Sequence, residues 1–190
     1  MLGVDENDFY EVIFSKKEKL FKGHYENCSF VSCNFHNQDL SNSKFTACVF
    51  EECNLSTANL KNTALKTVVF KKCKLLGLNF SDCNPFLLSI GFESCVLDLS
   101  SFYKLRLKAT VFESCKLQEV DFGEADLTSA TFDACDLARA ICKNTVLEKA
   151  DFRTAYNFSI DPEINRIKKA KFSMIGLMGL LDKYGIEVNG

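Results

Sequence analysis

The chain has 190 residues but no Trp, only two Pro and only nine Gly. So few chain breakers exclude a loop-dominated or disordered protein. No stretch approaches the roughly 18 consecutive apolar residues of a membrane span. The stretch from Met1 to Val12 lacks the basic segment and apolar run of a secretory signal, so a cytoplasmic protein is expected. Neither sign of charge dominates. Twenty-three Lys and Arg against 25 Asp and Glu leave a net charge of -2, which points neither toward nucleic acid nor away from it. Also missing are the Gly-rich phosphate loop, G-x-S-x-G, H-E-x-x-H and C-x-x-C. The two His, His24 and His36, have no partners at zinc-ligand spacing. The reading therefore expects no catalytic residues, no metal, no cofactor and no enzyme.

Against these absences stand eighteen Phe and ten Cys. Phe or Leu recurs every five residues from Phe30 and Phe35 to Leu75 and Phe80. The register slips by two near Asn84-Pro85-Phe86, resumes at Leu87 and Phe92, and continues to Phe152. Two residues before each lies a small or compact residue, such as Cys28, Ser43, Ala58, Thr63 or Ala125, and the other three places are polar. A period of five matches neither the helix nor the strand, so the chain must turn once per repeat. A second period of twenty, with the insertion removed, joins Phe30, Phe50, Phe70, Phe92, Phe112, Phe132, Phe152 and Phe172. Four quintets per coil would stack these rings in one column.

Quintets such as Cys53-Asn54-Leu55-Ser56-Thr57, Ala58-Asn59-Leu60-Lys61-Asn62 and Ala125-Asp126-Leu127-Thr128-Ser129 resemble those of pentapeptide-repeat proteins. The resemblance implies an all-β solenoid, a right-handed quadrilateral β-helix, here followed by a short C-terminal α-helix. The expected organisation is an N-terminal cap over 1–23, a β-helix over 24–172 with a bulge at 84–86 and an irregular last coil over 157–171, and a capping and dimerising tail over 173–190.

In this register nine Cys occupy the small inward place and Cys142 the central one, and Cys33, Cys53, Cys73, Cys95, Cys115 and Cys135 share a wall. Buried thiols have raised pKa values and fill space as small hydrophobes, so the Cys are expected to be interior filling.

The ends of a solenoid are open sheet edges that need covers. Asp8 to Phe14 reads as one strand, and Ser15 to Gly23 as a charged connector. At the other end Ser173 reads as the N-cap of a helix over Met174–Tyr184 that stops at Gly185, followed by a strand-like Ile186-Glu187-Val188. Ile175, Met178 and Leu181 make one apolar stripe of this helix, and Leu177, Leu180 and Tyr184 another. One stripe can cover the last coil, and the other predicts a two-fold homodimer.

The same tail, from Phe172-Ser173 to Glu187-Val188, resembles the dimerising C-terminus of Qnr-type quinolone-resistance proteins. That resemblance implies a DNA mimic that binds DNA gyrase or topoisomerase IV and protects it from quinolones, without contacting nucleic acid or membrane itself. A mimic needs carboxylates in place of phosphates. Seven acids and one Lys lie between Glu113 and Asp136, against five Lys and no acid between Lys61 and Lys74. Glu119, Asp121, Glu124 and Asp126 are the expected contact residues. The alternative is a generic interaction scaffold for another partner.

Overall fold

The computed structural model describes residues 7–187. The chain forms a β-solenoid of about eight turns with four walls and an interior of stacked side chains. Its strands are β1 (Asp8–Tyr10), β2 (Ile13–Ser15), β3 (His24–Glu26), β4 (Ser29–Val31), β5 (Lys44–Thr46), β6 (Val49–Glu51), β7 (Ala64–Lys66), β8 (Val68–Lys71), β9 (Ile90–Glu93), β10 (Val111–Glu113), β11 (Thr131–Asp133), β12 (Asp151–Phe152) and β13 (Lys171–Phe172). β1, β3, β5 and β7 pair in parallel on the first wall, and the other nine form the second wall. The third and fourth walls carry single parallel bridges, such as Asn34 with Asn54 and Ser101 with Asp121.

The twenty-residue period is the pairing register itself, since Phe30 lies opposite Phe50, Phe50 opposite Phe70, Phe70 opposite Phe92 and Phe112 opposite Phe132. Including Phe14 below Phe30, nine rings stack along the second wall, about 38 Å at the spacing between strands. Consecutive rings lie nearly parallel, 5.2 Å apart for Phe92 and Phe112 and 5.0 Å for Phe112 and Phe132. A second aromatic column meets the first edge to face. It runs on the first wall through Phe9, Tyr25 and Phe45, then on the fourth wall through Phe80, Phe102 and Phe122. Leu55, Leu75, Leu97, Leu117 and Leu137 fill the third wall. Each such burial contributes about 1.5–3 kcal/mol.

Five residues make one wall because most repeats end in a left-handed residue. Among the described residues, twenty-seven non-glycine residues have positive φ, including Asn37 (56°), Asn42 (62°), Leu99 (62°) and Glu119 (56°). On the third and fourth walls the central residue accepts a bond from the amide three places on, as Phe35 does from Gln38, closing a β-turn whose third residue is left-handed. The left-handed amide then bonds one coil upward, as Asn37 does to the Ser56 carbonyl. Corners of the third and fourth walls are thus tied both within their own wall and to the next coil.

Several details differ from the sequence reading. The single strand expected over Asp8–Phe14 is two strands on two walls, because Glu11 at φ 55° turns a corner between them. Those strands and the buried Leu20 form a shorter first coil in place of a separate connector. At the bulge, Leu87 is 56% exposed at φ 59°, and Leu88 takes its inward place. Ile186 and Glu187 are outside any strand, and Val188 lies outside the described residues. The small place is also less uniformly small than expected, since Val68, Leu78, Ile90 and Leu105 occupy it and are buried.

In the irregular last coil, buried Asn165 occupies the small place. Its side-chain oxygen accepts from the Thr145 amide at 2.8 Å, and its Nδ2 donates to the carbonyls of Cys142 and Asp161 at 2.9 Å. Phe158 closes the end of the core, 5.6 Å from Phe152 and 5.7 Å from Phe172. The terminal helical segment lies over it: a 3-10 turn at Ile175–Leu177, α1 at Met178–Leu181 and a second 3-10 turn at Asp182–Tyr184. The Ser173 hydroxyl accepts from the Gly176 amide at 2.9 Å, and Gly185 at φ 58° ends the segment. Gly179 is required by contact, because a Cβ there would stand 2.2 Å from the Phe158 carbonyl oxygen.

Candidate functional site

The small inward places make the interior of the rod a set of satisfied polar contacts. The thiols of Cys53, Cys73, Cys95 and Cys135 each donate to a phenylalanine carbonyl one coil below at 3.3 Å. The hydroxyls of Thr63, Ser100 and Thr145 likewise donate to the carbonyls of Leu40, Leu75 and Phe122 one coil below. The Ser43 hydroxyl is the exception among the described residues, buried with no partner. Nine Cys are buried and Cys142 is partly buried, all as free thiols. Burial pushes the Cys48 thiol up to about 11 and those of Cys83 and Cys142 up to about 12. At neutral pH these are unreactive protonated groups.

The four expected contact acids lie on the outside of the rod and are each engaged by the rod itself. Glu119 accepts from Arg139 Nε at 3.0 Å. Glu124 accepts from the Tyr103 hydroxyl at 2.7 Å and lies 3.5 Å from Lys104 Nζ. The Tyr103 bond and the Lys104 charge hold its carboxyl below the usual range. Asp121 Oδ1 accepts from the Gly123 amide at 2.8 Å. Asp126 Oδ1 accepts from the Thr128 amide and hydroxyl, and its other oxygen lies 3.3 Å from Lys108 Nζ. Partial burial opposes ionisation of Asp126, and these bonds outweigh it, leaving its pKa lowered. The two aspartates thus tie their own turns, as Asn54 and Asn59 do about three coils earlier. Three of the four acids carry a cation from an adjacent coil.

The carboxylates of the band without a cationic partner among the described residues include Glu113 and Asp133, stacked on the second wall. Asp133 accepts only from the Thr154 hydroxyl, at 2.7 Å. Stepping the sequence by twenty from Glu93 through Glu113 to Asp133 is the signal that finds them. Between this band and the helix the sign reverses, with eight Lys and Arg against four Asp and Glu from Arg139 to Lys171.

The six helix residues divide by exposure. Leu180 packs on the core, while Ile175 is 88% exposed and Leu177, Met178, Leu181 and Tyr184 are also exposed. Met174, 84% exposed, extends this apolar face. A groove of about 660 Å³ separates the helix from the last coils, with Ile175, Met178 and Leu181 on one side and Ala138, Ala155 and Tyr156 on the other. No helix among the described residues is long and apolar enough to cross a membrane.

Comparison with known proteins bears on the fold. The family described as the pentapeptide repeat region matches residues 23–85 and 87–156. No curated protein matches the sequence. Among solved structures, a trypsin-treated form of QnrB1, a plasmid-mediated fluoroquinolone resistance protein, is similar at 19% identity and a TM-score of 0.49, covering 96% of this chain and 100% of its own. HetL, a pentapeptide repeat protein involved in heterocyst differentiation regulation in Nostoc sp. strain PCC 7120, is 17% identical with a TM-score of 0.38, over 85% and 83% of the two chains. A pentapeptide repeat protein of the Arabidopsis thaliana thylakoid lumen is 20% identical with a TM-score of 0.27, over 64% and 70%. With its five-residue interior period, its twenty-residue strand register and the family match over most of its length, this chain belongs to the pentapeptide-repeat family.

Proposed function

We propose that the chain is a non-enzymatic, cytoplasmic protein-binding rod that works as a homodimer joined through its C-terminal helices. The observation that carries this reading is the division between a filled interior and an outer surface of laddered side chains, ending in an apolar helix face that no other described residue covers. Exposed apolar faces of this kind mark association sites, and a two-fold copy supplies the same face in return. Sedimentation equilibrium should give twice the 21.4 kDa chain mass, and Ile175→Glu with Met178→Glu should give the single mass. A monomeric parent refutes the dimer.

The finer reading is a DNA mimic that occupies the DNA-binding saddle of gyrase or topoisomerase IV. It is supported by the acidic band from Glu113 to Asp136, in which Glu113 and Asp133 carry no cation. The cation-paired state of Glu119, Glu124 and Asp126 and the basic coils next to the helix favour the second reading, a scaffold for another protein. A supercoiling assay with purified gyrase and a fluoroquinolone separates the two. Restored supercoiling as the rod is added supports topoisomerase binding, and no restoration at any concentration refutes it and leaves the scaffold.

A further inference from the structure

Among the described residues the second wall alone has strands paired along its whole length, and it is not flat. Its outward column reads Val49, Val69, Gly91, Val111 and Thr131. At Gly91 the side chain is missing, and the corner residues beside it, Thr67 and Ala109, are short. The result is a depression of about 330 Å³ floored by Val69, Gly91 and Val111. A second depression of about 490 Å³ continues from Val111 and Glu113 past Thr131 and Asp133 to Arg153. Sharing Val111 and Glu113, the two make one trough along the rod axis over β8 to β12.

We propose that this trough is a docking groove for an amphipathic segment of a partner protein that carries Leu-like side chains on one face and a pair of Lys or Arg near its middle. The proposal rests on the reading of the chain as a protein-binding rod, and it holds whether or not the partner is a topoisomerase. Charge complementarity selects the occupant. At the ends of the trough the carboxylates are compensated, Glu93 by Lys71 at 2.9 Å and Asp151 by Arg153 at 2.7 Å. At its centre Glu113 and Asp133, one strand apart in register, have no cation among the described residues. Beside them Val111 is 47% exposed on the floor. Apolar side chains would cover that floor while two cations reach the central carboxylates. Four strand spacings span about 19 Å, the length of a helix of about 13 residues, and helices with one apolar face commonly dock in such grooves.

The test uses the full chain and a fluorescein-labelled peptide of about 14 residues, built of Leu and Lys with helical periodicity, read by fluorescence anisotropy. The parent should bind it saturably and the matching Leu and Glu peptide not at all. Gly91→Leu fills the depression, and its new Cβ meets nothing nearer than the Val111 carbonyl at 4.0 Å, so the coil is retained. It should weaken binding by about tenfold or more, the loss expected when an apolar anchor is excluded. Val111→Arg, at an exposed position, should do the same. Glu113→Gln should weaken binding several-fold and flatten its salt dependence, while Glu148→Gln, outside the trough and paired with Arg166, should change nothing. Absence of parent binding, equal binding of the Glu peptide, or unchanged affinity in both Gly91→Leu and Val111→Arg would overturn the groove. Unchanged affinity in Glu113→Gln alone overturns the cationic occupant. A failed supercoiling assay touches neither result.

Discussion

Replacing Phe112 by Ala tests the claim that the stacked ring column is what holds the coils together. Phe112 is fully buried, stacked on Phe92 at 5.2 Å and Phe132 at 5.0 Å, and met edge-on by Phe102 and Phe122 at 5.9 Å. A buried Phe→Ala change costs about 3–5 kcal/mol. The lost aromatic pairs, each about 0.5–1.5 kcal/mol beyond area, place this site at the upper end. In a solenoid each coil contacts only its neighbours, so a mid-rod lesion weakens two interfaces at once. Phe14, half-buried at the first coil, has one stacked neighbour in the column, Phe30 at 5.0 Å, and Phe14→Ala should cost about half as much. Guanidinium unfolding followed by far-ultraviolet circular dichroism reads the difference. For a slope of about 4 kcal/mol per molar, Phe112→Ala should lower the midpoint by about 1 M. Equal shifts for the two variants, or a Phe112 loss below about 1 kcal/mol, would refute the column as the main source of stability.

Ser43→Ala removes a buried hydroxyl that has no partner and should raise stability by about 1 kcal/mol, measured as a higher denaturation midpoint. Asn165→Leu should cost about 3 kcal/mol or more, because it strands the Thr145 amide and two carbonyls inside the last coil. The helix is latched by Lys183, whose Nζ lies 2.7 Å from Asp161 and 2.6 Å from Glu163, with the Tyr184 hydroxyl donating to Glu163. The Lys183 bond lowers both carboxyl pKa values, so the latch is present above their unfolded values and is lost as pH falls below about 4. Exchange of the Ile160 amide, bonded to the Gly179 carbonyl across the latch, should accelerate there, and Lys183→Met should remove that pH dependence.

The interior was legible in the sequence because it repeats, so that one wrong assignment of register would misplace every ring in the column. Phe30 to Phe172, the Cys places and the third-wall Leu all lie where the two periods put them. The corners were less legible. Six of the left-handed residues are Asn, the side chain that tolerates this conformation best after Gly. Leu99, Ala109 and Lys149 adopt it too, held by bonds to the next coil and not by local preference. The two-strand first coil was missed because its step to the next is shorter, Phe14 to Phe30 in place of twenty residues. For the candidate site, acidity was visible but its use was not. Asp121 and Asp126 look like surface charge until their turns close around them, and the partners of Glu119 and Glu124 lie about twenty residues away along the chain.

That difference decides how acidic coils should be read in a rod of this kind. A carboxylate one place before an inward Leu or Phe can bond the amide two places on, as Asp39, Asp121, Asp126, Asp136 and Asp151 all do. Acid at that place therefore carries a structural explanation before any functional one, and Asn satisfies the same bond without charge. A carboxylate one place after the inward residue has no such turn to close. Glu93, Glu113 and Asp133 occupy that place on the second wall, directly beside its apolar outward column. Glu93 is paired with Lys71 across one coil, whereas Glu113 and Asp133 have no cation among the described residues. The charge of these two has no structural use in the coils that carry them, which is the ground on which the proposed groove places its cationic partner there and not on the fourth wall.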